Sequence, residues 1–337
     1  FSVARLKRDI FERSNVGVIF TRRAPSLVSG GENLVYGLDT DLNLAQDVRL
    51  IGFYAKSETD GWGSRNEAYR GRFNWNADRY GISLERMRVE PDFNPEIGFL
   101  SRENFERSYG LVRFSPRPQS WRAVRKISFQ GSFDYITDTA GTLETQIARG
   151  SILFDFENSD QMELIYRDNV EFLPEPFEIA PGIVLPVATY SFDDFRYRYK
   201  LGPHRRVSGE AFFQIGTFYG GDRVEAGYRG RIELLTSLSV EPGIELNWVR
   251  LPEGDFETRL VAARFNYMMS PRVALSALAQ YNSSADSLET NIRFRWEYQP
   301  GSDLFLVYTD GRDTTNSGFS GMLNRTFVVK LTRLFRF

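Results

Sequence analysis

Eight ionisable residues at even spacings are the strongest candidates for chemistry: Glu225, Arg229, Arg231 and Glu233 in one segment, and Glu289, Arg293, Arg295 and Glu297 in another. In an extended strand, even spacing puts side chains on one face. A face lined this way can neutralise itself as a salt-bridged wall, or present a charged constriction that selects a polar solute. The two readings are compatible.

Other clusters fail as catalytic or metal sites. His204, in the turn Gly202-Pro203-His204, is the sole histidine, and the chain has no cysteine. A histidine-based triad or a zinc site needs partners that do not exist here, so His204 reads as a solvated turn residue. Asp193 and Asp194 are adjacent, and neighbouring strand residues point to opposite faces, so this carboxylate pair cannot converge. Nothing in the sequence fixes the separation of Glu289 and Glu297 either. Asp39-Thr40-Asp41-Leu42-Asn43 opens like a calcium loop, but position six is Leu44 rather than Gly and position twelve is Leu50 rather than Glu. Alternating acids on the polar face of a strand fit better. Asp310–Gly318 could wrap a calcium ion, although a flexible polar loop is the simpler reading. No catalytic, cofactor-binding or metal-ligating residue is therefore assigned, and no cofactor is expected.

The elements that position these residues are strands. Leu288, Thr290, Ile292, Phe294, Trp296 and Tyr298 alternate with Glu289, Asn291, Arg293, Arg295 and Glu297. Val224–Leu234 and Ile127–Tyr135 alternate in the same way, and no helical periodicity extends beyond a turn or two. About 19 such segments follow one another, among them 161–171, 187–199, 303–309 and 325–337. The last one carries Phe327, Val329, Leu331, Phe335 and Phe337 on one face, with Thr326, Lys330, Thr332 and Arg336 on the other. An amphipathic strand ending in Phe resembles the closing strand of a bacterial outer-membrane β-barrel.

Composition agrees with that class. The chain of 337 residues is 15% aromatic and 26% charged, and its net charge of −2 argues against nucleic-acid binding. No run of 18 apolar residues exists to form a membrane helix. The mean hydropathy of −0.37 would suit a soluble protein, but in a barrel only alternate residues meet lipid, which keeps the average polar. Trp75, Tyr80, Trp121, Trp248 and Tyr298, near strand ends, fit interfacial girdles.

Connections alternate in length. Pro300-Gly301, Ser270-Pro271, Asn158-Ser159-Asp160 and Asn76-Ala77-Asp78 have the chemistry of tight turns. Between them lie longer stretches such as Arg22–Gly31, Glu90–Glu103, Phe172–Pro186 and Asp310–Asn324, while Tyr219–Asp222 is short. Long loops on one side and short turns on the other is the outer-membrane pattern. Bacterial single-chain barrels have an even strand number. Nineteen strands imply either a count that is off by one or at least one further strand upstream in a longer precursor, and a Phe1 that falls inside a strand pattern favours the second. The segment Phe1–Ile10 is then expected to pair with Ser14–Arg22 on one side and not with Arg325–Phe337.

Four stretches carry a family resemblance: Val3–Ile10 with Ser14–Gly17; Asp92-Phe93-Asn94-Pro95-Glu96-Ile97-Gly98-Phe99-Leu100; Asn291–Trp296; and Pro300–Tyr308. They resemble the C-terminal membrane domain of bacterial proteins whose N-terminal part is a family 9-like carbohydrate-binding module. That module has no counterpart in these residues, and no catalytic residues transfer. The resemblance implies a barrel in the outer membrane, with possible partners in oligosaccharide and in other envelope proteins.

The expectation is thus an all-β chain, residues 1–337 forming one large antiparallel transmembrane β-barrel domain that lacks upstream strands and an N-terminal domain. It would sit in the bacterial outer membrane, in contact with the lipid bilayer, and pass or transport a polar substrate such as an oligosaccharide. The alternatives are a structural barrel that anchors a carbohydrate-binding module or joins a larger envelope complex, and, third, a membrane-embedded hydrolase, which the histidine count disfavours.

Overall fold

The computed structural model describes residues 1–315 and 321–335. The strands are β1 (Ser2–Ile10), β2 (Ser14–Arg23), β3 (Asn33–Ala45), β4 (Val48–Thr59), β5 (Glu67–Asn76), β6 (Tyr80–Val89), β7 (Phe105–Phe114), β8 (Val124–Thr137), β9 (Leu143–Phe156) and β10 (Gln161–Leu173). A short hairpin, β11 (Phe177–Ala180) and β12 (Ile183–Leu185), interrupts the series. It resumes with β13 (Ala188–Leu201), β14 (Val207–Phe218), β15 (Gly221–Leu235), β16 (Leu238–Leu251), β17 (Gly254–Ser270), β18 (Val273–Asn282), β19 (Ser287–Gln299), β20 (Ser302–Asp313) and β21 (Gly321–Leu331).

Apart from the β11–β12 hairpin, the strands form one 19-stranded sheet. Each pairs antiparallel with its neighbours in sequence, and β10 pairs with β13. Among the described residues β1 pairs only with β2, from Ser2↔Arg22 to Ile10↔Ser14, and β21 only with β20. The predicted partner of Phe1–Ile10 is therefore the observed one.

Register carries the period-two pattern across the whole sheet. Directly opposed residues share a face. Leu6, Val18, Leu38, Tyr54 and Tyr69 form one continuous row of partners. One residue along, Lys7, Gly17, Asp39, Phe53 and Arg70 form another, on the opposite face. The first kind of row leaves large apolar side chains exposed: Leu38 at 59%, Val112 at 59% and Phe327 at 65%. On this apolar face Trp75, Tyr80, Phe114 and Phe129 stack in sequence, with ring centroids 6.5, 5.4 and 6.4 Å apart. Trp75 and Tyr80 thus join one aromatic ladder.

Two edges differ in their connections. One edge has tight turns such as Phe11–Arg13, Gln46–Asp47 and Pro300–Gly301, although residues 115–123 make a longer link there. The other edge carries the longer loops, with two-residue exceptions at Tyr219-Gly220 and Pro252-Glu253. Tyr219 and Gly220 have φ of 46° and 85°. Positive φ at both central residues matches the right-handed twist of the flanking strands.

Three expectations need correction. The 303–309 segment is too short, because β20 runs to Asp313. Asp310 is not in a loop: it lies on the strand and pairs with Arg312 at 2.5 Å and Arg325 at 2.8 Å, so ion pairing carries the ladder beyond the apolar stretch. The final strand starts at Gly321 and ends at Leu331, earlier than 325–337. Thr332 still bonds Asp303, but the Leu334 N–H turns to the Ser302 hydroxyl at 3.0 Å. Arg336 and Phe337 lie outside the described residues, as do Asn316–Gly318 of the Asp310–Gly318 stretch.

One turn is locked by a covered carboxylate. Asp160, only 3% exposed, accepts from the Gly202 N–H at 2.8 Å, the Tyr199 hydroxyl at 3.0 Å and Arg205 at 2.9 Å. Burial alone would raise its pKa, but these donors together hold it below the ordinary carboxylate value. A depressed folded pKa contributes stability above the unfolded value of about 3.9 and loses it as pH falls through the folded one. Asp160→Asn should cost about 1–3 kcal/mol at neutral pH. In unfolding titrations the gap to wild type should close on acidification; a gap constant across the acid limb would contradict this role.

Candidate functional site

The polar face is an ion-pair lattice whose density changes along the sheet. On β5–β8 it is closed. The Glu85 side chain, 2% exposed, takes Arg70 at 2.6 Å, Arg107 at 2.9 Å and Arg72 at 3.6 Å, and Arg107 also reaches Asp134 at 2.6 Å. Opposed and diagonal positions of adjacent strands bring these long side chains together. A second block spans β9–β14. Arg149 meets Glu163 at 3.0 Å, Arg198 touches Glu163 and reaches Glu210 at 3.6 Å, and Arg167 binds Asp194 at 2.9 Å. Asp193, on the other face, bonds Thr217 instead, so Asp193 and Asp194 diverge as their adjacency requires.

Beyond β14 the lattice opens. Arg196, Glu210, Phe212, Arg229, Glu245 and Ala262 line a recess of about 360 Å³ on the polar face. The Arg196 guanidinium lies 4.0 Å from the centre of the Phe212 ring. A Cβ on Gly227 would meet that ring at 2.6 Å, so glycine there lets the phenyl group lie against the backbone. Arg229 approaches Glu245 only at 4.0 Å, and 81% of its side chain is exposed.

Each of the eight residues singled out from sequence lies on this polar face. Register joins Arg229 to Glu289 through Gly243, Ala262 and Gln280. The two groups are nonetheless separated by β16–β18, whose polar-face residues along this row are small or neutral, so they do not converge on one point. Glu225 lies 3.9 Å from Arg196, and Arg231 pairs with Glu233 at 3.2 Å. Arg293 covers the Phe305 ring at 4.9 Å, Arg295 binds Asp303 at 2.8 Å, and Glu297 accepts the Gly301 N–H at 3.0 Å. His204 is exposed in its turn. Asp39 and Asp41 lie on β3, bound to Arg5 at 2.7 Å and Arg49 at 2.5 Å, as alternating strand acids rather than a loop. Among the described residues no cluster of His, Cys, Asp and Glu could hold a metal ion.

Sequence reasoning missed two segments that fold over the polar face at the long-loop edge. The first is the β6–β7 loop. Its Phe93 is buried with Ala68, Val89 and Phe105, which form one register row two residues from Arg70, Met87 and Arg107. Glu96 latches this loop to the β2–β3 loop by accepting from the Ser26 hydroxyl at 2.6 Å and the Leu27 N–H at 3.0 Å. Burial pushes the Glu96 pKa up, but Ser26, the Leu27 amide and Arg23 outweigh it and leave the carboxyl below its ordinary range. The second is the β11–β12 hairpin. Its Leu185 is fully buried against Tyr219, Val249 and Leu251, with Phe192 and Phe256 beside them. The sequence signal for the first was the Asp92–Leu100 stretch, an apolar-rich loop carrying Phe93 and Leu100.

No family model matches the chain, and no curated protein matches it. The resemblance drawn from the four stretches therefore stands on those residues alone.

Glu85 separates structure from exposure on this face. Replacing it with Gln leaves three arginines facing one another around an uncharged amide, and should cost about 3–5 kcal/mol, the range for breaking a covered ion pair. Arg229→Ala, at an open position, should stay within about 0.5 kcal/mol. Denaturant unfolding of the two variants checks this; equal losses would contradict the difference between closed and open lattice.

Proposed function

We propose that the 19-stranded sheet forms the wall of a large transmembrane β-barrel in a bacterial outer membrane, with its apolar face to lipid and its charged face lining a passage for a polar solute. The observation that carries this reading is the division of solvents. One face exposes a continuous field of Leu, Val, Phe, Tyr and Trp, while the other carries an ion-pair lattice that is closed on β5–β8 and open around Arg229. Exposed apolar surface on that scale is rare on soluble monomers and is what hydrocarbon requires. Alternating lateral bonding also satisfies the backbone polar groups that a membrane cannot. Closure would join the free edges of β1 and β21, directly or through strands from elsewhere.

Under this reading the two in-folded segments narrow the long-loop mouth, and the recess around Arg229 lies on the wall below. The solute class proposed is a polar one, and an oligosaccharide follows from the family resemblance. The closed lattice of β5–β8 supports a second reading, in which the barrel is structural and anchors a carbohydrate-binding module or another envelope component. Conductance in planar bilayers separates the two: discrete ion-conducting steps support passage, and a stably inserted but silent protein supports the anchor.

The lipid-facing assignment has its own test. Phe294, on the apolar face of β19, should tolerate arginine poorly, at roughly 2–4 kcal/mol near mid-membrane. Arg295→Ala, on the polar face, should be tolerated far better. Equal destabilisation of the two variants in lipid would overturn the assignment of faces.

A further inference from the structure

A shortage of acceptors marks one place on the polar face. Arg223, on β15, is half-buried. Its guanidinium lies over the Phe218 ring, 4.4 Å from the centroid, but among the described residues no carboxylate comes within salt-bridge distance and no group accepts a hydrogen bond from it. The residue opposite it is Gly216, which has no side chain to offer, and beyond Gly216 the row reaches Asp194. That carboxylate is already taken by Arg167 at 2.9 Å.

The diagonal neighbour repeats the deficit. Gln214 is opposite Glu225, two residues from Arg223 on the same face. Its side chain is completely buried, and its amide nitrogen has no hydrogen-bond partner. Its amide oxygen is already used by Arg196 at 3.2 Å. Diagonal cross-strand neighbours are within reach of long side chains, so a guanidinium fork and an amide N–H₂ stand side by side with donors and no acceptor. Glu225 and Asp194 act electrostatically on this guanidinium, ahead of Arg167 and Arg196, but neither carboxylate comes within bonding distance of it. Glu225 is drawn toward Arg196, 3.9 Å away, as Asp194 is toward Arg167.

Buried donors without acceptors are costly, and an arginine fork matches the two oxygens of an oxyanion. We infer that Arg223, Gln214 and Arg196 form a binding site for one small oxyanion group, such as the carboxylate, sulfate or phosphate of a polar solute. The site requires only that this face be open to water. It does not require that the protein conduct, so a silent bilayer recording leaves it standing.

The test is equilibrium dialysis of the purified, folded protein against labelled inorganic sulfate, at fixed ionic strength in chloride. One saturable site is expected. Arg223→Gln should weaken it by about tenfold or more, as loss of a charge-assisted fork implies. Gln214→Glu supplies Arg223 with its missing carboxylate inside the fold and should abolish sulfate binding as well, without the loss of a charged residue from the wall. Arg264→Gln, an exposed arginine elsewhere on the same face, should change affinity by less than about twofold. Acetate and phosphate in competition rank the oxyanions. The absence of a saturable site in the wild type, meaning that water alone satisfies these donors, would overturn the inference. Unchanged affinity in a folded Gln214→Glu or Arg223→Gln protein would overturn it equally.

Discussion

The two-residue period of the β-strand is the constraint on which everything else depends. Lateral hydrogen bonds fix each strand against its neighbours, and once fixed, each side chain has only two directions open to it. A slip of one residue between any two strands would move a whole row of arginines onto the apolar face. The register avoids this from β1 to β21. The polar row through Arg229 and Glu289 keeps its face across five strands, and the shifts that occur lie near strand ends, as at Glu233/Leu235 and Glu297/Gln299 on the tight-turn edge and Ile136/Thr137 on the long-loop edge. Nineteen strands in register therefore act as a sorting device: apolar bulk to one side, charge to the other.

Charge on the polar face is not uniform, and the difference has physical content. Where an acid gathers several arginines, as Glu85 does with three, the lattice is closed. Where glycine and alanine occupy the facing positions, as at Gly227, Gly243 and Ala262, side chains cannot fill the surface and a recess remains. Saturation and vacancy are two outcomes of the same strand pattern, set by whether a carboxylate stands opposite or diagonal to an arginine, as Glu85 does, or small side chains surround it. The in-folded segments follow a related logic. At the long-loop edge the polar face turns apolar, with Ala68, Val89 and Phe105 in one place and Val249, Leu251 and Phe256 in another. Phe93 and Leu185 cover those patches, which would otherwise be exposed on a face that is elsewhere charged.

Much of this was legible in the chain. Alternation in Leu288–Tyr298 and Val224–Leu234 gave both the strands and their faces, and the spacing of Asp193 and Asp194 already excluded a shared site. The turn residues located one edge of the sheet. The in-folded loop was not legible, because Asp92–Leu100 has no period and its partners are distant in sequence. The β11–β12 hairpin was also missed: Phe177–Ala180 and Ile183–Leu185 are too short to show alternation. Ion-pair partners were hidden for the same reason. Nothing local in Glu85 or Asp134 announces Arg107, since pairing depends on which strands become neighbours and at what offset. Charge beyond the apolar zone misled the ends of β20 and β21, where Asp310 with Arg312 and Arg325 extends the ladder through residues that read as loop.

The account rests on one face meeting hydrocarbon and the other water, and the chain has no cysteine to complicate a direct measurement. Single cysteines placed along β19 at Ile292, Arg293, Phe294, Arg295 and Trp296 can carry an environment-sensitive fluorophore, with the protein reconstituted into lipid vesicles. The account predicts strict alternation. Labels at Ile292, Phe294 and Trp296 should be bright and quenched by spin-labelled lipid, and labels at Arg293 and Arg295 should be dim and quenched by aqueous iodide. Uniform water-like emission at all five positions, or lipid quenching without a two-residue period, would contradict it.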